Sequence, residues 1–196
     1  MDPRQIAFLD YDPKSQLVVE ETNVPKARFP AIDGHNHLRR FTKQLSAVEG
    51  FVLAMDGCNV QAVVDLDGGW GEGLARKLDI FSYFPGRFYV FCHINWEHID
   101  DPDFSSIAVK QLEDSVRIGA RGLKIFKGLG LGIKDKNGQY LPIDTPKLDP
   151  VWARCGELGI PVLIHTADPT AFFEPLDRHN ERLRELADHP DWLFIK

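Results

Sequence analysis

The strongest constraint on this chain is a repeated alternation of short apolar runs with amphipathic stretches. The runs are Ala31–His35, Val60–Leu66, Arg87–Cys92, Gly122–Phe126 and Ile160–His165. Most are continuously apolar rather than alternating, which predicts parallel strands buried on both faces. With the fourth counted from Arg121, they start at residues 31, 60, 87, 121 and 160, which lie 29, 27, 34 and 39 residues apart. This β/α alternation predicts a parallel sheet with helices packed outside. Eight such units would end near residue ~290, close to the size of a (β/α)8 barrel. The 196 residues hold five runs and the start of a sixth at Trp192–Ile195. Two architectures stay open on the residues alone: an open doubly wound sheet, or the front part of a barrel.

Helix signals fall between the runs. Ser46-Ala-Val-Glu49 reads as a capping box, and Gly57 supplies a stop. A second helix covers Gly73–Phe81, and Pro85-Gly86 is a turn. Ser105 or Ser106 caps a third, whose apolar residues are Val109, Leu112 and Val116, and Gly119 ends it. Asp149-Pro150 opens a fourth, closed by Gly159. A last helix is expected over Asp177–Ala187. The long segment Lys127–Thr145 carries Lys136-Asn-Gly-Gln139, a hairpin turn signal. It leaves the C-terminal end of a strand, where a lid or pocket wall and a plain surface hairpin are both open readings. Residues 1–30, with Pro3, Pro13, Pro25 and Pro30, read as an N-terminal arm, and residues 31–196 as the domain.

Charge and cysteine usage narrow the function classes. A net charge of −6 gives no bulk attraction for nucleic acid or anionic lipid, so neither is expected as a partner. Cys58, Cys92 and Cys155 are odd in number and far apart, which points to a reducing compartment. Met1–Asp10 lacks the apolar core of a signal peptide, and no run is long enough to span a bilayer. A cytoplasmic protein acting on a small molecule is expected, and a homo-oligomer stays open.

Three places carry chemistry. His35 and His37 stand two apart at the end of the first run, so in a strand they face one side and can converge on one metal. His165 ends the fifth run and occupies the equivalent place four strands on, before Thr166-Ala-Asp168-Pro169 turns the chain. Lys124 lies inside the fourth run and Lys127 at its end. A lysine in a buried strand is costly unless paired, modified or at the rim. Lys124 is taken as the inward one, partnering a substrate anion or carbamylated as a metal ligand, and the other as snorkelling outward. Asp65, Asp67, His93, Asn95, Glu97 and His98 are weaker candidates that read first as loop residues, and His179 and His189 as surface. Lys127-Gly-Leu-Gly-Leu-Gly132 lacks a phosphate loop's ending, and no G-x-S-x-G elbow exists.

Asp33-Gly-His-Asn-His-Leu38, Gly122-Leu-Lys-Ile-Phe126 and Pro161-Val-Leu-Ile-His165, in this order, resemble the amidohydrolase superfamily, nearest to its amidohydrolase-related group of metal-dependent hydrolases and decarboxylases. The resemblance implies a (β/α)8 barrel, here incomplete, with about five to six β/α units. It implies a divalent ion, expected to be Zn²⁺, on His35, His37 and His165, with Lys124 as the catalytic lysine. Lys127 and Asp168 are expected to contact substrate. The family also uses a His after strand six and an Asp after strand eight, beyond Lys196, so the resemblance implies the N-terminal portion of a barrel. The leading expectation is hydrolysis of a C–N or C–O bond by metal-activated water. Decarboxylation, and an inactive fragment or binding module, remain as alternatives. A nuclease is disfavoured by the acidic balance.

Overall fold

Five strands form one parallel sheet in the order β1-β2-β3-β4-β5. They are β1 Ala31–Asn36, β2 Val60–Asp65, β3 Phe88–Cys92, β4 Gly122–Ile125 and β5 Val162–Ile164, each at a predicted run. The computed structural model describes residues 5–7, 10–15, 17–166 and 168–195. Of Met1–Asp10, only residues 5–7 and 10 are therefore described. Spatial order follows chain order throughout, whereas a doubly wound sheet reverses direction at a switch point. The fold is thus of barrel type: five successive units of an incomplete (β/α)8 sheet.

The helices are α1 Leu45–Cys58, α2 Gly71–Ser82, α3 Phe104–Ile118, a kinked single turn α4 Gly128–Leu131, α5 Asp149–Leu158 and α6 Leu183–Asp188. The described residues divide into two compact units. Val24–His165 holds all five strands, and the other unit joins the described parts of Met1–Asn23 and Thr166–Lys196. In the first unit, Val63, Val90 and Leu123 meet Val48 and Met55 of α1, Leu74 and Phe81 of α2, Leu112 of α3 and Cys155 of α5. Gly122 is required here. A Cβ would lie 2.5 Å from the Phe91 ring, so only glycine lets that ring cross β4.

Several local expectations are corrected. All four residues of β4 are buried, but β1 is not buried on both faces, and Ile32 is 63% exposed. The capping box does not form. Ser46 lies within α1, behind an extended Gln44, and the helix runs through Gly57 to stop at Asn59. Asn59 takes φ 60° and its Nδ2 donates to Ala27 O at 3.0 Å, so a short amide side chain supplies the left-handed cap. In α3, Asp103 holds the cap position, and Ser105 Oγ instead donates to Lys147 O at 2.8 Å. The hairpin reduces to one antiparallel bridge, Lys134 to Tyr140, tied by Asp135 Oδ1 accepting from the N–H groups of Asn137 and Gln139 at 2.9 Å.

In the second unit, α6 starts only at Leu183. Buried Asn180 donates to Ala171 O and Pro175 O and accepts from Arg182 N–H, using local backbone groups that a longer helix would need. Trp192–Ile195 is not a strand. Pro190–Trp192 is a 3-10 turn, and Phe194 N–H reaches Phe172 O at 2.8 Å.

Candidate active site

The site lies in the unit Val24–His165, at the C-terminal ends of its strands, where loops of barrel-type folds gather chemistry. The ladder between β1 and β2 shifts register between Asp33 and Asn36, so the strand does not end as a regular two-residue repeat. Asp33 folds back under it, its Oδ1 accepting from His35 N–H at 3.0 Å and its Oδ2 from Asn36 Nδ2 at 2.6 Å. Asn36 Oδ1 accepts from His37 N–H at 2.8 Å. The rings of His35 and His37 meet edge to face with centroids 5.4 Å apart, both exposed to solvent.

Asp67, on the loop after β2, orients one of these rings. Its Oδ1 lies 3.0 Å from His37 Nδ1, and its Oδ2 accepts from Arg39 N–H at 3.3 Å. A carboxylate only accepts, so this contact puts the proton on Nδ1 and leaves the Nε2 lone pair to a ligand. Burial pushes the Asp67 pKa up, but the hydrogen bond and charge of His37, with Arg39, outweigh it and hold the carboxyl below its ordinary value.

Lys124 of β4 is 1% exposed, and among the described residues its Nζ makes no hydrogen bond. It stands 5.4 Å from the centroid of Phe126, and burial lowers its proton affinity. Phe126 also meets His37 at 5.7 Å and His93 at 4.9 Å, so one aromatic ring joins the ends of β1, β3 and β4. His93 Nε2 lies 2.6 Å from Leu66 O. His165 follows β5, and its N–H donates to Ile125 O at 3.0 Å. Burial, then the charges of Lys124, His37 and His165, lower the His35 pKa, with Asp33 opposing. These four side chains thus share one electrostatic neighbourhood. Lys127 is half-buried at the start of the turn after β4, and Asp168 belongs to the other unit.

Among the weaker candidates, Asp65 carries more than a loop role, as Asp67 and His93 do. Asp65 is not a solvated loop residue: it ends β2, is fully buried, and pairs with Lys77 of α2 at 2.6 Å. Lys77 was not legible as a site residue. Its one signal was a lysine in the apolar stripe with Leu74 and Phe81. Asn95, Glu97 and His98 do act as turn residues, bonded within their own loop and to α3.

The amidohydrolase family model matches residues 84–191, more than half of the chain. The chain belongs to the amidohydrolase family. Within this amidohydrolase, the matched segment carries Lys124, Phe126 and His165, while His35 and His37 precede it. No curated protein and no solved structure matches the chain. The family implies a divalent metal. Two imidazoles in contact, one backed by a carboxylate at Nδ1, are donor chemistry that fits such an ion. Among the described residues, however, no three His, Cys, Asp or Glu side chains are gathered as a metal cage. Also among the described residues, no helix is long and apolar enough to cross a membrane.

Proposed function

We propose that the chain carries the strand-end site of a metal-dependent hydrolase that cleaves a C–N or C–O bond in a small molecule. The reading is carried by the contact of His35 and His37 with Asp67 behind them, in a chain of the amidohydrolase family. His35 and His37 would supply two donors to a divalent ion, with His165 assigned as the third although the three are not gathered as a cage in this structure, and imidazole donors suit Zn²⁺. When bound, such an ion supplies an acidic water and polarises a carbonyl. Asp67 keeps His37 oriented as a donor. Lys124 and Phe126 form a wall with one buried amine and one apolar face, which orient substrate beside the histidines. Lys127, half-buried after β4, is assigned to an outer substrate contact.

The test is metal analysis after Zn²⁺ loading and dialysis, on the wild type and on His35→Ala/His37→Ala. Retained metal in the wild type and loss in the double variant are expected. Equal content in both overturns the reading. A parallel screen of amides, esters and lactones, with CO2 detection on carboxylic acids, separates hydrolysis from decarboxylation.

A further inference from the structure

Lys77 sits on α2, outside the strand-end cluster, yet its amine reaches the support of His37. It lies on the buried face of α2 with Leu74 and Phe81 and is 7% exposed. Its Nζ donates to Asp65 Oδ2 and to Asp67 O, both at 2.6 Å. Asp65 Oδ1 in turn accepts the N–H groups of Leu38 and Asp67, each at 3.1 Å. Asp67 closes the circuit on the His37 ring and on Arg39 N–H. One ammonium therefore fixes the loop that holds the ring and the backbone on its far side.

A buried ion pair is a poor device for stability alone, because a well-packed apolar pair serves as well or better. What an apolar pair cannot do is hold a second carboxylate at a set distance from an imidazole. We infer that Lys77 is a positioning residue: through Asp65 and the Asp67 backbone it aims the Asp67 carboxylate at His37 Nδ1 and so sets which ring nitrogen is left to accept a ligand. Only its consequence for metal affinity rests on the proposed function.

The test is ¹⁵N imidazole NMR of the metal-free protein, with Zn²⁺ titration by calorimetry, on the wild type and on Asp65→Asn/Lys77→Met. The wild type is expected to show His37 protonated at Nδ1. The double variant is expected to show mixed tautomers and Zn²⁺ affinity weaker by about 10–100-fold, the usual effect of losing an outer-shell partner. A folded double variant with unchanged tautomer overturns the inference, whether or not metal binds. If the double variant does not fold, the ¹⁵Nζ signal of Lys77 decides, compared between the wild type and His37→Gln. The relay requires that signal to move, and an unmoved signal overturns it. Failure of the wild type to bind Zn²⁺ defeats the metal reading alone, since the tautomer comparison needs no metal.

Discussion

Replacing Lys124 with methionine should make the protein more stable. The side chain is 1% exposed, in a strand whose four residues are all buried. Among the described residues its Nζ has no hydrogen-bond partner, so folding strips the amine of water and returns only a place 5.4 Å from the centre of the Phe126 ring. An unsatisfied buried polar group costs about 1–3 kcal/mol. Methionine keeps the length of the chain and adapts to irregular space, so little packing is lost. A gain of about 1–3 kcal/mol follows, or a Tm rise of about 2–12 °C at the ~2–4 °C per kcal/mol usual for a chain of this size. The gain also has a pH signature. Burial lowers the Lys124 pKa from its ordinary 10.5. Below the folded value both states are protonated, and the wild type carries the full penalty. As pH rises through the folded value toward 10.5, the native state sheds its proton first, and the wild type recovers. The advantage of Lys124→Met should therefore be largest near neutral pH and shrink in alkali. Thermal and urea melts of both proteins across that range are the assay. A variant that is neutral, less stable, or equally favoured at all pH values would refute the reasoning and give Lys124 a partner. A buried, destabilising lysine is what a functional site looks like in a stability measurement.

Two further outcomes follow. Gly122→Ala would put a Cβ 2.5 Å from the Phe91 ring, so urea melts should show a loss of about 1–3 kcal/mol, partly recovered in Gly122→Ala/Phe91→Leu. Cys58 is exposed, whereas burial pushes the thiols of Cys92 and Cys155 up to about 11. A thiol reagent at neutral pH should label one cysteine per native chain and three after denaturation, and fast labelling of all three in the native protein would contradict the packing.

The strands were legible because most are continuous apolar runs bounded by turn residues, a pattern set by neighbours in sequence. The glycine stops at Gly119 and Gly159 were legible for the same reason, since both adopt positive φ that other residues resist. The start of α1 was not, because Ser46 has capping chemistry but the chain enters the helix one residue earlier. The last helix was shortened by Asn180, whose carbonyl partners lie five and nine residues back. In the candidate site, the proximity of the His35 and His37 rings was readable from their spacing at a strand end. Their support was not. The Asp65 to Lys77 contact forms only because α2 folds back over β2, and no spacing rule announces that.

The end of β1 shows why site and fold cannot be separated here. Past Gly34 the strand loses its regular register with β2, yet its backbone amides still need acceptors. Side chains supply them in succession: Asp33 takes His35 N–H, Asn36 takes His37 N–H, Asp65 takes Leu38 N–H and Asp67 takes Arg39 N–H. Four acidic or amide side chains thus extend the ladder beyond the sheet, and the two histidines project from this extension. Three of the four are carboxylates, which form stronger bonds to N–H groups than neutral acceptors do and also bring negative charge beside the imidazoles. One of them, Asp67, reaches the ring itself. A hydrophobic strand end could have stopped the sheet at lower desolvation cost, but it would have left His37 without an orienting partner. The polar continuation of β1 is therefore at once the end of the sheet and the mount of the candidate metal donors. Changing its acids should disturb ring orientation before it disturbs the apolar core, whose buried strand residues lie on β2, β3 and β4.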